Sequence, residues 1–423
     1  MINWLFSKTP LVFLVQGFWR DEAFSYFLAK KNVADIFILS AKDFTPPFYH
    51  IILHYWINFF GGAEIPIRIL SLIFYWAIVY LTTHFLTDIF KMSLKKALFY
   101  TFLLAINPLL IYYAFEGRMY TMFAFFAALS FYSWYQKRPY LYLFSSIFGL
   151  YTHYFMIFVL AAQYFLSKSK LQLITVITFI PWIIFTLLGR GLSLDPFWIK
   201  SFNINSIINF IGSIYTGYER DFKFYNNGIF FLAISLWFLI GYGYLKIKNK
   251  EKNIKIFKFL FVWSVIIPLV ILLISFLKPI FLPRYLIFST VGLVLLLIFI
   301  IEKLPLFFKV MIIFLLVYFT YNYNLLQIKH RTKNSFRKSI SEIKYLMTPG
   351  DKLYVTSELD FFTAQYYLDE KRVFIWNKTY KEIPQYVGKA LIPKNKVATR
   401  LPFYPNKAFI LDPWGGFTVM ALY

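Results

Sequence analysis

The sequence contains no cysteine, so disulfide bonds, thiolate zinc sites and cysteine nucleophiles are excluded. Charged residues are also scarce: they make up 15% of the 423 residues, whereas soluble domains carry about 25%. The chain has no glycine-rich phosphate loop, internal repeat or low-complexity tract. Instead, 59% of its residues are hydrophobic and 23% are aromatic. This composition excludes an ordinary cytosolic enzyme, a disordered chain and a fibrous repeat, and it indicates a polytopic membrane protein.

Acidic residues are few as well, since 20 Asp and Glu stand against 44 Lys and Arg, for a net charge of +24. In a soluble protein such an excess would suggest a nucleic acid partner. Here much of the positive charge lies in short loops beside apolar segments, where it sets the orientation of a membrane protein. We therefore expect a lipid bilayer as the partner, and no nucleic acid.

Long apolar segments predict membrane-spanning helices, because about 20 helical residues cross a hydrocarbon layer roughly 30 Å thick. The segments of suitable length are 3–19, 69–90, 97–115, 119–135, 171–189, 228–245, 259–277, 285–301 and 306–324. The stretch 140–166 is interrupted at Tyr151-Thr152-His153 and predicts two short spans that fold back at this polar point. The pattern thus predicts an α-helical polytopic membrane protein with about eleven transmembrane helices, the first of them a retained N-terminal span.

The loops that follow alternate spans are rich in lysine and arginine, which places them in the cytoplasm by the positive-inside rule. The N-terminus is then cytoplasmic, and the outer segments are 20–68, 116–118, 151–153, 190–227, 278–284 and 325–423. The apolar segment 46–60 is too short to span and predicts a helix at the outer interface.

The composition changes after residue 324, where ordinary amphipathic patterns begin. Strands are predicted at 352–356, 372–376, 408–411 and 417–422, and helices at 335–347 and 361–368. The chain therefore divides into a transmembrane domain, 1–324, which includes the first outer loop (20–68), and a small extracytoplasmic α/β domain, 325–423.

Ionisable residues are costly near a bilayer, so their positions are informative. The predicted topology places a set of them at the outer face: Asp21, Glu22, Asp43, His50, His54, Glu116, Arg118, His153 and Arg284. We interpret this set as one cavity beneath the first outer loop. Adjacent acids such as Asp21 and Glu22 repel each other and are hard to explain as interfacial anchors. Paired arginines suit an anionic head group, because the guanidinium fork matches phosphate oxygens.

Such a set could catalyse transfer from a lipid phosphate to a hydroxyl group, with a carboxylate as base and cations at the leaving phosphate. Asp43, His50 and His54 are weak candidates for metal ligands, although two histidines at helical spacing also fit the solvent-exposed face of a helix. Two other classes stay open. A lipid-linked sugar transporter or flippase would carry ionisable groups near mid-span at broken helices, and a non-catalytic scaffold would merely present residues 325–423.

Several motifs resemble the membrane glycosyltransferases of the C-type fold. In the first outer loop they are Trp19-x-Asp21-Glu22-Ala23, Asp43-x-Thr45-Pro46-Pro47-x-Tyr49, Leu53-His54-x-Trp56, Phe60-Gly61, Glu64 and Arg68-x-x-Ser71. The motifs that follow later in the sequence are Asn107-Pro108, Glu116-x-Arg118-x-Tyr120, Thr152-His153-Tyr154 and Pro283-Arg284-Tyr285. The resemblance covers about residues 10–300. It is strongest to the group of dolichyl-phosphate-mannose protein mannosyltransferases and lipid A aminoarabinose transferases.

This resemblance implies an inverting glycosyltransferase at the outer face of a bacterial inner membrane, with a polyprenyl-phosphate sugar as donor. It implies Asp21 as the base, with Glu22 and Asp43 as the other acids of the loop. It assigns Arg118, His153 and Arg284 to the donor phosphate, Arg284 being the principal clamp. The supporting residues would be Tyr49, His50, Glu116, Tyr120 and Tyr285. No cofactor is required, and assistance by a divalent cation stays open, as does the identity of the hydroxyl acceptor: lipid, glycan or protein.

Overall fold

The computed structural model describes residues 2–43, 45–190, 199, 205–217, 219, 226–333 and 336–423. Its α-helices are α1 (Ile2–Lys8), α2 (Val12–Val15), α3 (Arg20–Ala29), α4 (Val33–Lys42), α5 (Phe48–Phe60), α6 (Glu64–His84), α7 (Leu94–Ala105), α8 (Pro108–Ala114), α9 (Tyr120–Tyr135), α10 (Pro139–Thr152), α11 (Met156–Ser167), α12 (Lys170–Arg190), α13 (Asn205–Thr216), α14 (Asn226–Ile247), α15 (Glu251–Phe261), α16 (Ile267–Leu277), α17 (Ile287–Ile301), α18 (Leu306–His330), α19 (Phe336–Leu346) and α20 (Phe361–Tyr367). Its strands are β1 (Lys352–Val355), β2 (Val373–Trp376), β3 (Val397–Ala398), β4 (Ala408–Leu411) and β5 (Phe417–Met420). A π-helical segment follows α6 (Phe85–Ile89) and another follows α15 (Val262–Ile266), while a 3-10 turn (Pro283–Leu286) leads into α17.

The chain folds into two compact units. The membrane unit comprises the described residues of Met1–Pro10, Arg68–Pro181 and Phe197–His330, and the sheet unit comprises those of Leu11–Ile67, Trp182–Pro196 and Arg331–Tyr423. The loop 20–68, apart from Arg68, thus packs with the C-terminal residues, whereas the boundary predicted from sequence at residue 324 counted that loop with the membrane helices.

Candidate membrane spans dominate the membrane unit. Among the described residues, six helices are long and apolar enough to cross a bilayer, or seven if the bent pair α7 and α8 forms one span. The six are Glu64–Ile89, Lys170–Gly189, Gly228–Ile247, Glu251–Leu277, Pro283–Ile301 and Leu306–His330. Each overlaps a predicted span, but the predicted total of about eleven is not confirmed.

The prediction of one continuous helix over residues 3–19 is wrong. Helix α1 ends at Lys8, and the short α2 begins only at Val12. Pro10 lies between them: a proline has no amide hydrogen and disfavours helical geometry at the preceding residue, here Thr9. Hydropathy detects the apolar segment but not this interruption.

The predicted span 97–115 is broken into α7 and α8, whose axes differ by 74°. Asn107 causes the break, because its side-chain oxygen accepts hydrogen bonds from the amides of Leu109 (3.1 Å) and Leu110 (3.2 Å) and so starts a new helix. Pro108 takes the first helical position, where its missing N–H costs nothing.

Helices α9, α10 and α11 of the membrane unit are each shorter than a full span. Helix α9 has 16 residues, α10 has 14 and α11 has 12. The predicted interruption near His153 is confirmed, since α10 ends at Thr152 and α11 begins at Met156. Helix α13 was missed, because residues 190–227 were assigned only as an outer segment.

Helix α17 is the core of the membrane unit, and every one of its residues is buried. Gly292 makes this packing tight, because a Cβ atom there would lie 2.7 Å from the Trp263 ring. The Trp263 indole in turn donates to the carbonyl oxygen of Phe288 (3.0 Å). This rigid helix begins just after Arg284 and Tyr285, and so fixes the position of both.

The sheet unit contains one five-stranded sheet in the order β3-β2-β1-β4-β5. Strands β3, β2, β1 and β4 are parallel, with Leu353 of β1 opposite Val373 of β2 and Phe409 of β4, while β5 is antiparallel to β4. Helix α20 connects β1 to β2, as parallel neighbours require a crossover. The predicted strands and helices of this region are confirmed within two residues at their ends, while the short β3 and the 3-10 turns between Glu358 and Lys396 were missed.

Candidate active site: an acidic centre and a basic centre

The acids Asp21 and Glu22 lie in the first turn of α3, where the helix dipole favours negative charge. Glu22 is fully buried, and its Oε2 accepts from the Trp19 amide (3.1 Å) and lies 3.4 Å from Lys333 Nζ. Its carboxylate therefore caps the helix and neutralises a buried lysine. Asp21 is the more exposed of the two acids, and its backbone carbonyl accepts from Ser25 Oγ (3.0 Å).

Asp43 is buried at the C-terminal end of α4, and its Oδ2 accepts from Thr45 Oγ1 (3.3 Å). Tyr49 and His50, in the first turn of α5, are buried as well. The edge of the His50 ring meets the Phe24 ring of α3, with 6.3 Å between their centroids. Helices α3, α4 and α5 therefore hold Asp21, Glu22, Asp43, Tyr49 and His50 in the sheet unit; we name this set the acidic centre.

The proposed metal ligands of this loop do not form a metal site. His54 Nδ1 donates to the carbonyl oxygen of Ala29 (2.8 Å), and its Nε2 accepts from Asn58 Nδ2 (3.3 Å), so both ring nitrogens are engaged. Among the described residues, no three His, Asp or Glu side chains are grouped so that they could hold a metal ion. The weak metal hypothesis for Asp43, His50 and His54 therefore has no geometric support.

A second group of predicted residues meets in the membrane unit, at the starts of α9 and α17 and at the break between α10 and α11. The ring of His153 lies 6.4 Å from that of Tyr120 and 5.3 Å from that of Tyr285, and Tyr120 and Tyr285 are 6.2 Å apart. The guanidinium carbon of Arg118 is 5.7 Å from the Tyr120 ring, and that of Arg284 is 5.8 Å from the Tyr285 ring. We name these five residues the basic centre.

The imidazole of His153 is neutral in this centre. Its Nδ1 accepts from the Phe155 amide (3.1 Å), so the ring proton resides on Nε2. Burial, followed by the positive charge of Arg118, lowers the pKa of His153 to about 3. Phe123 stacks on the imidazole at 4.6 Å and fixes its plane.

The two arginines are held differently. Arg284 Nη1 lies 3.6 Å from Glu219 Oε2, and both side chains are about one-fifth exposed. Arg118 is fixed through its backbone: its amide donates to the carbonyl of the buried Glu116 (2.7 Å), and its own carbonyl accepts from Ser71 Oγ (3.2 Å). Two guanidinium groups and a neutral imidazole walled by aromatic rings suit a phosphate group.

Comparison with known proteins gives a match in fold. No protein-family model and no curated protein sequence matches the chain. The crystal structure of ArnT from Cupriavidus metallidurans in the apo state matches with a TM-score of 0.63 at 12% sequence identity, over 97% of this chain and 91% of that one. The structure of ArnT from the same organism bound to undecaprenyl phosphate matches over the same shares, with a TM-score of 0.58 at 11% identity. This chain has the glycosyltransferase C-type fold.

The C-type fold predicted from the motifs is therefore confirmed, and the basic centre brings together residues that the motifs single out. The roles assigned to those residues stay predictions. Three residues that form ion pairs with members or neighbours of the two centres were not predicted from the sequence: Glu219, Lys333 and Asp360. Glu219 lies in a segment without a motif, and the ion-pair partners of Lys333 and Asp360 are more than 300 positions away in the sequence. A basic run from Lys329 to Lys338 was the one local signal for Lys333.

Proposed function

We propose that this chain is an inverting glycosyltransferase that moves a sugar from a polyprenyl-phosphate donor to a hydroxyl acceptor at the outer face of a bacterial inner membrane. The observation that carries this proposal is the basic centre, where Arg118, His153 and Arg284 meet from three distant parts of the sequence. The shared fold with ArnT, which has been solved with undecaprenyl phosphate, supports the choice of a polyprenyl phosphate.

In the proposed reaction, the Asp21 carboxylate takes the proton of the acceptor hydroxyl as its oxygen forms a bond to the anomeric carbon. The bond between that carbon and the phosphate oxygen breaks on the opposite face, so one displacement inverts the configuration. Polyprenyl phosphate leaves with the electron pair. Arg118 and Arg284 offset its charge, and His153 Nε2–H donates to one of its oxygens.

The positions of the ionisable residues favour transfer over transport. A transporter is expected to carry them at broken helices near mid-membrane. Here the bend between α7 and α8 lies at the uncharged Ile106 and Asn107. Arg118 and Arg284 lie just before α9 and α17, and His153, at the break between α10 and α11, is neutral and lies beside both of their tyrosines. A non-catalytic scaffold that presents the C-terminal sheet would not require two arginines and a histidine grouped among tyrosine rings.

The test is incubation of the purified protein with a panel of undecaprenyl-phosphate hexoses and pentoses and a lipid extract as acceptor. The proposal predicts release of undecaprenyl phosphate and incorporation of the sugar into the acceptor, with opposite anomeric configuration. The rate in EDTA tests the open question of a divalent cation: an unchanged rate would exclude its assistance, and a lost rate that Mg²⁺ or Mn²⁺ restores would establish it. Movement of the intact lipid-linked sugar across a vesicle bilayer without release of undecaprenyl phosphate would favour the transporter instead.

A further inference from the structure

Asp21 stands between two residues whose side chains are fixed by the C-terminal segment, 331–423. On one side, Arg20 donates through Nε to Asp360 Oδ1 (2.6 Å) and through Nη2 to Asp360 Oδ2 (3.1 Å). On the other side, Glu22 Oε2 lies 3.4 Å from Lys333 Nζ. The side chains of Asp360, Glu22 and Lys333 are all nearly inaccessible, at 2%, 0% and 6% exposure.

The C-terminal partners are themselves held in place. The Lys333 amide donates to Gln16 Oε1 (3.0 Å), and its ammonium group lies 5.9 Å from the Trp19 ring. Asp360 ends a 3-10 turn that leads directly into α20. One-sided removal of a buried ion pair leaves an uncompensated charge, so both contacts constrain the first turn of α3 strongly.

Further contacts tie the same segment to the remaining acid-bearing elements. Tyr367 Oη accepts from the Phe18 amide (2.7 Å), just before α3. Gln385 Nε2 donates to the carbonyl oxygen of Lys42 (3.0 Å), which precedes Asp43. The residues next to Asp21 and the residue next to Asp43 are therefore all contacted by the C-terminal segment.

We propose that the C-terminal segment positions the base: Lys333 and Asp360 are positioning residues that fix Glu22 and Arg20 and thereby aim the Asp21 carboxylate at the acceptor hydroxyl. This inference rests on the proposed function for the identity of the reaction. It gives the C-terminal domain a part in catalysis that does not depend on acceptor binding.

The first variants are Lys333→Met and Lys333→Arg, with Lys30→Met as the matched control. Lys30 also links α3 to the C-terminal segment, through Glu370 (2.9 Å), but both side chains are about half exposed. We expect Lys333→Met to lower kcat about 100-fold with an unchanged KM for the donor, because small misplacements of a reacting group have effects of this size. Lys333→Arg should recover most of the rate, and Lys30→Met should match wild type, since exposed ion pairs contribute little.

Exchanging the charges of Arg20 and Asp360 separates the effect of losing their ion pair from a loss of folding in the single variants. Arg20→Asp and Asp360→Arg alone should each lower kcat, and the double variant should recover to within about threefold of wild type if the pairing itself matters. No recovery in a folded double variant, together with wild-type kcat in folded Lys333→Met, would overturn the positioning role.

A measurement without turnover separates this inference from the proposed function. Carbodiimide labelling of Asp21, followed by peptide mass spectrometry, reports the environment of the carboxylate directly. We expect the labelling rate to change at least threefold in Lys333→Met and to stay unchanged in Lys30→Met. If the labelling rate changes in this way but the wild type releases no polyprenyl phosphate, the contact between Lys333 and the α3 turn still positions Asp21, and the proposed transferase function is rejected. If the wild type is active and Asp21 is labelled at the same rate in wild type and in Lys333→Met, the positioning role is rejected and the proposed function is kept.

Discussion

The acidic centre of the sheet unit and the basic centre of the membrane unit are stabilised by different interactions. In the acidic centre, side chains next to Asp21 are fixed by buried ion pairs, Glu22 with Lys333 and Arg20 with Asp360. In the basic centre, Arg118 and Arg284 lie against tyrosine rings, and the ion pair of Arg284 with Glu219 is long, at 3.6 Å.

This difference matches the two tasks in the proposed reaction. In the proposed reaction the base must point at one hydroxyl, and the ion pairs on both sides of Asp21 would fix its direction. A cation that receives a lipid phosphate must exchange a protein contact for a ligand contact, and a loose ion pair beside a π face allows that exchange. The comparison predicts that changes in the acidic centre reduce the rate of chemistry, whereas changes in the basic centre reduce donor binding.

The largest effect is expected for Asp21→Asn. Without a base the acceptor hydroxyl keeps its proton, so kcat should fall about 1,000-fold while donor affinity is retained. The matched control is Asp35→Asn, since Asp35 is an exposed acid in the first turn of the neighbouring helix α4. Loss of donor binding in Asp21→Asn would contradict the division of tasks.

The next effect is expected for Arg284→Ala. Loss of charge-assisted hydrogen bonds to the phosphate should weaken binding of undecaprenyl phosphate about 30-fold. Arg138→Ala is the control, because the Arg138 guanidinium also lies over a tyrosine ring, that of Tyr132, at 5.7 Å. Equal binding by wild type and Arg284→Ala, measured with labelled lipid, would place the clamp elsewhere.

A smaller effect concerns pH and His153. Its pKa in the folded state is lowered to about 3, from about 6.5 in the unfolded chain. The unfolded chain therefore binds the proton first, and folding stability should fall as pH drops below about 6.5, by up to roughly 1.4 kcal/mol per pH unit. Thermal unfolding of wild type and His153→Gln from pH 7 to 5 checks this, because the variant should lose less stability over that interval. Parallel curves would contradict the neutral imidazole.

The smallest effect concerns Asp351 in the sheet unit. Burial alone would raise the pKa of Asp351, but hydrogen bonds from Thr348 and the Lys407 amide outweigh burial and lower it. Its contribution to stability is present above the ordinary Asp pKa of about 3.9 and should be lost as the pH falls below that value. Asp351→Asn should flatten this loss in thermal unfolding. The sheet unit therefore becomes acid-sensitive at lower pH than the basic centre, and the reverse order would contradict the comparison.

The basic centre could be predicted from sequence because each member interrupts or ends an apolar segment. His153 marks a helix break, and Arg118 and Arg284 precede α9 and α17, so the lengths of the apolar segments bring their ends together. The bend at Asn107-Pro108 was also readable in principle, since Asn before Pro is typical of a helix start.

The support of the acidic centre could not be predicted in the same way. Lys333 and Asp360 contact α3 across more than 300 residues, and no local pattern encodes such a pairing. The grouping of the first loop with the C-terminal sheet arises from tertiary packing, such as Phe24 of α3 against Phe362 of α20 at 5.6 Å. Interactions of this kind depend on the fold rather than on periodicity.

The most direct test of the central claim is the release of undecaprenyl phosphate from undecaprenyl-phosphate sugars by wild type, Asp21→Asn and Asp35→Asn. We expect release by wild type and Asp35→Asn, and almost none by Asp21→Asn, although all three bind the donor. Equal release by all three proteins, or none by any of them across the sugar panel, would contradict it.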